Sequence, residues 1–206
     1  MRRVKGELRL ARPGGNVTGM TGVAPETSGK RLELLREALP KTSRIAVLWN
    51  PSNPLGSLER KETEAAARKL HLTVQWLDAH SPGAIDARFE AASKARADAL
   101  IVFPDPVLVA ARAQIIGLAA KHRLPTVYVF REDAEAGGLI SYGASVREQV
   151  RRAATFVDKI LKGAKPADLP VEQARTFELV VNARTAKALG VTLPQALLLR
   201  ADHIIQ

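Results

Sequence analysis

The sequence predicts a doubly wound α/β fold, in which helices cover both faces of a parallel sheet. Three observations support this prediction. The chain has 206 residues, enough to bury a sizeable core, and 46% of them are hydrophobic. From residue 44 onward, short apolar runs alternate with longer segments of helical periodicity. Strands that are apolar throughout, each followed by a helix, are typical of parallel sheets.

The strands and helices of this unit follow one another along the chain. Apolar runs predict strands at residues 44–49, 72–77, 99–103 and 126–130. Helical periodicity predicts one helix before the first strand and one after each of the first three, at residues 29–39, 57–70, 84–96 and 107–122. Because crossovers between parallel strands are right-handed, we expect the doubly wound strand order 2-1-3-4.

The ends of the chain differ from this unit. We therefore expect residues 29–138 to form one complete α/β unit, and residues 1–28 and 139–206 to be incomplete parts of another. The ends hold a glycine-rich stretch at 13–22, a long helix at 145–162 and a strand-like run at 177–181. Glycine tolerates positive φ, so the first of these stretches suits a hinge or crossover.

The long helix carries an apolar stripe at helical spacing, made of Val150, Ala154, Val157 and Leu161. The run at 177–181 is expected to be an unpaired edge strand. Exposed apolar stripes and open strand edges are commonly covered by association. A homodimer is therefore one expected state of the chain.

The charge of the chain is strongly positive, with 31 Lys and Arg against 21 Asp and Glu, a net charge of +10. A small basic cluster, Arg2, Arg3 and Lys5, opens the sequence, but elsewhere basic residues are mixed with acidic ones. No aromatic residues alternate with them, as stacking on bases would require. We interpret these charges as solvated faces and expect no nucleic-acid partner.

Several classes of chemistry are excluded or disfavoured by what the sequence lacks. It has no cysteine, and therefore no disulfide and no thiolate metal site. No run of 18 apolar residues is present, and no apolar segment typical of a signal peptide follows the N-terminal charges. The stretch Gly14–Thr21 resembles a phosphate-binding loop, but Met20 stands where the lysine is needed. We find neither a nucleophile elbow nor metal-ligand spacing, and so predict no enzyme, no metal and no cofactor.

The loops at the carboxyl ends of the predicted strands are the candidate binding site, because open α/β sheets bind ligands there. The candidate residues follow the first, third and fourth strands and are Asn50, Pro51, Ser52, Asn53, Phe103, Pro104, Asp105, Arg131 and Glu132. Helix N-termini at this edge favour an anion, which suggests a small solute with a carboxylate, such as an amino acid. The alternative that these are only turn residues stays equally open.

Several ordered blocks of the sequence resemble one family. They are RPGGNVTG from Arg12, KRLELLREALP from Lys30, RIAVLWNP from Arg44, ILKGAKPADLP from Ile160 and FELVVN from Phe177. Together they resemble the ABC-transporter substrate-binding proteins of the tryptophan/tyrosine-uptake type. The resemblance runs from about residue 10 to the end of the chain.

This resemblance implies a fold and a function. Members are similar to type I periplasmic binding proteins, in which two α/β lobes joined by hinge crossovers close on a small solute. They are periplasmic or membrane-anchored outside the cytoplasm, and they deliver the solute to an ABC permease. An N-terminal portion ordinarily precedes the glycine-rich block, so we expect this chain to be truncated, with residues 29–138 as the second lobe. The alternatives are an α/β enzyme of unknown class and a self-associating interaction module.

Overall fold

The structure is a computed structural model that describes residues 10–11, 13–22, 25 and 27–206. The predicted basic cluster Arg2, Arg3 and Lys5 lies outside the described residues. The chain divides into two compact units. Unit 1 comprises residues 1–23 and 144–177, and unit 2 comprises residues 24–143 and 178–206.

Unit 2 is built on a seven-stranded sheet, with strands numbered here in chain order. Its spatial order is β3 (Thr73–Asp78), β2 (Arg44–Trp49), β4 (Ala99–Val102), β5 (Thr126–Tyr128), β6 (Ile140–Ala144), β8 (Phe177–Asn182) and β9 (His203–Ile205). The pairs β2–β3, β2–β4 and β4–β5 are all parallel. The predicted α/β class and the strand order 2-1-3-4 are therefore confirmed.

Helices follow the strands of unit 2. They are α1 (Thr27–Ala38), α2 (Pro54–Lys69), α3 (Ile85–Lys94, after a 3-10 turn at Pro82–Ala84), α4 (Pro106–Ala110), α5 (Arg112–Lys121), α6 (Arg131–Glu135), α8 (Ala183–Leu189) and α9 (Gln195–Arg200). The helix expected over 107–122 is two helices that meet at Ala111. The sequence analysis did not predict α6.

The core of unit 2 lies on both faces of the sheet, because alternate residues of each strand point to opposite faces. Ile45 and Val47 of β2 belong to one apolar cluster, which includes Leu32 of α1. Ala46 and Leu48 belong to a second cluster, on the side of α3 and α5. Since Ile45, Ala46, Val47 and Leu48 all have 0% exposure, the near-continuous apolar run of β2 is explained by burial on both sides.

The division of the chain differs from the expected boundary at residue 138. The sheet of unit 2 continues into β6, β8 and β9, all beyond that residue. Burial explains this continuation, because Leu179, Val180 and Val181 are at most 5% exposed. The expectation of an unpaired edge strand at 177–181 is wrong, since β8 lies between β6 and β9.

Unit 1 contains a short parallel pair and one long helix. Strands β1 (Met20–Thr21) and β7 (Glu172–Gln173) pair in parallel, and α7 spans Val146–Leu161. A 3-10 turn at Pro166–Asp168 follows α7. In the glycine-rich stretch Gly14, Gly15 and Gly19 all have positive φ, which explains their residue type. No described helix combines the length and the apolar character needed to cross a membrane.

Candidate functional site

The predicted site lies at the carboxyl edge of the sheet of unit 2. The loop from Asn50 to Asn53 connects β2 to α2, and the loop from Phe103 to Asp105 connects β4 to α4. Since β2 and β4 are adjacent and parallel, their carboxyl ends bring the two loops side by side. Prolines at the start of α2 and of α4 fix the backbone where each helix begins.

Asp105 joins these two loops. Its Oδ2 accepts hydrogen bonds from Nδ2 of Asn53 at 3.0 Å and from Nδ2 of Asn50 at 3.3 Å. Its Oδ1 accepts from the backbone N–H of Val107 at 2.9 Å and so caps α4. The residue is only 5% exposed. Asp105 is thus a buried carboxylate that holds the side chains of both asparagines in place.

The helix starts at this edge are capped by side chains of the site itself. Oδ1 of Asn53 accepts from the N–H of Leu55 at 3.1 Å, which caps α2. Oδ1 of Asn50 accepts from the N–H of Ser52 at 3.0 Å. These amides were the anion donors expected from the sequence, and they already have intramolecular acceptors. A negative charge also stands among them, so this edge suits a cationic group of a solute better than an anionic one.

Asp105 keeps capacity for such a group. An ionised carboxylate offers about four lone-pair positions, and the three hydrogen bonds named above use three of them. One position is therefore left without a hydrogen bond from the residues named above.

His80 is a residue of this edge that the sequence analysis missed. It lies just after β3, and its Nδ1 is 3.2 Å from Oγ of Ser52, with both side chains exposed. Close by, Nε1 of Trp49 donates to Oδ1 of Asp78 at 2.8 Å, which ties the ends of β2 and β3 together. The signal was available, because His80 follows an apolar strand just as Asn50 and Asp105 do.

The sequence analysis placed Arg131 and Glu132 in a loop. In the structure they lie at the start of α6. The helix forms because Oδ2 of Asp133 accepts from the N–H of Phe130 at 3.3 Å, as a residue in a first helical turn can. Nε of Arg131 bonds Oε1 of Glu135 at 2.6 Å, and its Nη1 is 3.7 Å from Oε2 of Glu178. The hydrogen bond to Glu135 raises the pKa of Arg131. In the described part of the chain, no hydrogen bond or salt bridge connects either residue to Asp105.

A small cavity of about 10 Å³, close to the space of one water molecule, lies behind Phe103 and Pro104. Tyr128, Arg112 and Asp133 also line it. Nε of Arg112 bonds Oδ1 of Asp133 at 2.5 Å. Burial raises the pKa of Asp133 although Arg112 opposes this shift, and burial also raises the pKa of Tyr128. The space beside this ion pair is too small for an amino acid.

Metal binding has no support in the geometry of the described residues. Among them, no group of three or more His, Asp or Glu side chains is arranged to hold a metal ion. The two histidines in helix-to-strand connections, His71 and His122, lie at the opposite edge of the sheet from Asp105.

Comparison with known proteins identifies the family. Residues 8–205 match the family described as ABC transporter substrate binding protein. The chain belongs to this family. A curated relative, a tyrosine-binding protein of Clostridioides difficile strain R20291, is 23% identical over 182 residues. That alignment covers 88% of this chain and 52% of the relative, so the chain spans about half the length of that protein.

Solved structures agree with this family. A conserved domain protein from Vibrio cholerae O1 biovar El Tor is 26% identical, with a TM-score of 0.86 over 95% of this chain and 65% of that one. The ABC domain from Streptococcus pneumoniae in complex with L-Trp is 28% identical, with a TM-score of 0.84 over 95% and 67%. The α/β fold of these proteins is thus shown for this chain.

Proposed function

We propose that this chain is the solute-binding part of an ABC importer and that its solute is an amino acid. The observation that carries the proposal is the position of Asp105, a buried carboxylate with acceptor capacity left over at the carboxyl edge of the sheet. The names of two relatives, one for tyrosine and one in complex with L-Trp, support an amino acid as the solute class.

In the proposed binding mode, Asp105 accepts a hydrogen bond from the α-ammonium group of the solute. Ser52 and His80 contribute exposed donors and acceptors beside it. Pro51, Phe103 and Pro104 limit the shape of the site through their rigid or buried side chains. Arg131 and Glu132 remain candidates for contacts with the far end of a longer solute, since Glu132 is exposed and has no salt bridge in the described residues.

Calorimetric titration of the chain with L-tryptophan and with L-tyrosine tests the proposal. We expect Asp105→Asn, which removes the charge and keeps the shape, to weaken binding at least about tenfold, or about 1.4 kcal/mol. The double variant Ser52→Ala, Asn53→Ala should also lose affinity. Ser57→Ala is the matched control, because Ser57 is exposed on α2 and outside the site.

Unchanged affinity in Asp105→Asn would contradict the binding mode. Absence of saturable binding of either amino acid to the unmodified chain would contradict the proposed solute class. Thermal melting of each variant separates lost binding from lost folding, since Asn53 also caps α2.

We also propose the setting that the family implies: a place outside the cytoplasm and an ABC permease as the partner that accepts the solute. Unit 2, which extends the predicted segment 29–138, is proposed as the second lobe of a two-lobed protein. An enzyme remains the alternative function. Turnover of L-tryptophan or L-tyrosine, followed by chromatography after prolonged incubation, would favour it.

A homodimer is proposed from the apolar face of α7. Val150, Val157 and Leu161 are 65%, 56% and 82% exposed, and Ala154 is exposed with them. A second copy presenting the same stripe can cover this face by two-fold symmetry. Light scattering should give a dimer that Val150→Asn, Val157→Asn converts to a monomer, and a monomeric unmodified chain would contradict the proposal.

A further inference from the structure

The amino edge of the sheet of unit 2 is unusually basic. The helix-to-strand connections and helix ends that lead into β2, β3, β4 and β5 at this edge are residues 39–44, 68–73, 94–99 and 121–126, and we call them the basic edge. They contain eight exposed Lys and Arg residues and one acidic residue, Asp98, a net charge of +7 with histidines neutral. The eight are Lys41, Arg44, Arg68, Lys69, Lys94, Arg96, Lys121 and Arg123.

Parallel pairing brings these four segments together. The N–H of Thr73 donates to the carbonyl of Ser43 at 2.9 Å, and the N–H of Asp98 donates to that of Arg44 at 2.8 Å. The N–H of Leu100 donates to the carbonyl of Pro125 at 2.8 Å. Neighbouring strands lie about 4.8 Å apart, so the segments form one continuous strip about 15 Å long from β3 to β5.

The charges of this strip are not neutralised within the protein. Across the described residues, none of the eight Lys and Arg side chains forms a salt bridge, whereas ten salt bridges occur elsewhere. The one acidic group faces the backbone: Oδ2 of Asp98 accepts from the N–H groups of Ser43 and Arg44, both at 2.8 Å. The strip therefore presents uncompensated positive charge to solvent.

Helix ends favour basic residues at some positions of this strip but do not require them at all eight. Basic residues in the last turn of a helix are favoured by the helix dipole, which accounts for Lys69, Lys94 and Lys121. Arg96 and Arg123, however, have φ of 54° and 52°, a left-handed conformation usually taken by glycine. His71, with φ of 54°, repeats the pattern. Each of the three is the C′ residue that ends a helix, a position where glycine is the usual residue, so ending the helix does not itself require a cation there.

The surroundings of the charges indicate the kind of partner. The four segments contain no Phe, Tyr or Trp, so they lack the stacking platform of large aromatic rings typical of a nucleic-acid site. None of the large exposed apolar side chains of the described chain lies in them, so they also lack the apolar anchors of a protein interface. Long flexible cations without either feature suit diffuse attraction to phosphate headgroups.

We propose that the basic edge of unit 2 rests on an anionic lipid surface, held by charge and without insertion. This contact uses the edge of the sheet opposite to Asp105. It therefore leaves the proposed solute site unobstructed, and it does not depend on which solute that site binds.

Co-sedimentation with vesicles tests the proposal. We expect the chain to bind vesicles of phosphatidylglycerol and phosphatidylcholine at low salt, to be released as salt screens the charges, and not to bind pure phosphatidylcholine. Each basic residue near such a surface contributes about fivefold in partition. The triple variant Arg96→Glu, Lys121→Glu, Arg123→Glu should therefore bind at least about 100-fold more weakly.

The matched control is Lys30→Glu, Lys61→Glu, Arg184→Glu, which changes the net charge equally at exposed positions outside the basic edge. It should keep most of the binding. A second variant, Arg96→Gly, Arg123→Gly, removes two charges at positions whose conformation glycine readily adopts, so its loss of binding cannot be attributed to misfolding.

Three outcomes would overturn the proposal. The first is equal loss in the two triple variants, which would assign binding to net charge alone. The second is binding to pure phosphatidylcholine as strong as to the anionic vesicles, or no binding to either. The third is tighter binding to a DNA duplex than to vesicles at equal phosphate concentration, which would assign the strip to nucleic acid.

Discussion

Each edge of the sheet of unit 2 has an aspartate, and the two aspartates lie in opposite environments. At the carboxyl edge, Asp105 is 5% exposed and its oxygens accept from two side-chain amides and one backbone N–H. At the amino edge, Asp98 is exposed and its Oδ2 accepts from two backbone N–H groups and the hydroxyl of Ser43. The first edge thus holds side chains in fixed positions around a carboxylate, whereas at the second edge Asp98 accepts from the backbone and the eight cations of the basic edge form no salt bridge among the described residues.

One set of parallel strands and helices can thus provide two unlike surfaces. Every helix starts at one edge, where Asn and Asp caps are favoured, and ends at the other, where Lys and Arg are favoured. Capping chemistry alone therefore makes the two edges electrostatically different. Two features go beyond capping. At the carboxyl edge the buried Asp105 accepts hydrogen bonds from two asparagines, and at the amino edge Arg96 and Arg123 have a left-handed backbone conformation.

The largest expected effect concerns the buried ion pair between α1 and α2. Nη2 of Arg31 lies 2.7 Å from Oε1 of Glu59, both side chains being at most 4% exposed, and burial lowers the pKa of Arg31 and raises that of Glu59. Glu59→Gln leaves the buried arginine without its counter-ion and should lower the free energy of unfolding by about 3–5 kcal/mol. Urea unfolding measures it.

The control for this variant is Glu64→Gln on the same helix. Glu64 pairs with Arg60 at 2.9 Å, but both side chains are over a third exposed, so less than about 1 kcal/mol should be lost. Similar losses in Glu59→Gln and Glu64→Gln would mean that the buried pair adds nothing beyond a surface one.

The second prediction compares the two aspartates directly. Asp105→Ala leaves the amides of Asn50 and Asn53 without their acceptor and removes the cap of α4, and should cost about 2–3 kcal/mol. Asp98→Ala leaves the N–H groups of Ser43 and Arg44 to bond with water and should lower the free energy of unfolding by about 1 kcal/mol. Chemical unfolding of both variants tests this order. A larger loss of stability in Asp98→Ala than in Asp105→Ala would contradict the claim that the carboxyl edge is the more tightly held of the two.

The third prediction concerns pH. Partial burial would raise the pKa of Asp98, but the hydrogen bonds from Arg44 and Ser43 outweigh it and lower that pKa below its usual value. A depressed carboxyl pKa stabilises the fold above about pH 4, and this contribution is lost as the pH falls through the lowered value. Between about pH 5 and pH 2, Asp98→Asn should lose less stability than the unmodified chain, and parallel acid unfolding curves would contradict this.

The smallest expected effect is a gain in stability. Arg96→Gly and Arg123→Gly relieve left-handed strain, and each should stabilise unit 2 by a few tenths to about 1 kcal/mol. Lys94→Gly, two residues before Arg96 and within α3, should instead destabilise by about 1 kcal/mol. Thermal melting compares the three, and destabilisation by Arg96→Gly would show that its side chain stabilises the fold.

The sequence predicted β2, β3, β4 and β5 and their order because β2 and β4 are nearly continuous apolar runs and segments of helical periodicity separate the four strands. It did not predict α6, whose five residues are too few for a visible period and begin with charges. Nor did it predict β9, which is only three residues long and half exposed at Ile204.

The two edges were predictable to different degrees. Turn residues after apolar strands pointed to Asn50, Ser52, Asn53 and Asp105, and the structure brings these together. The partnership of Asp105 with both asparagines, however, depends on side-chain distances that no spacing shows. The basic edge was missed altogether, because its cations are scattered over 83 residues between Lys41 and Arg123 and meet only through the parallel pairing of β3, β2, β4 and β5.

The most direct test of the account is a backbone amide NMR titration of the chain with L-tryptophan and L-tyrosine. We predict saturable shifts at Ser52, Asn53 and Asp105, with the amides of Arg96 and Arg123 at the other edge unchanged. Shifts centred on the basic edge, or none that saturate at the carboxyl edge, would contradict the claim that the solute binds where Asp105 lies.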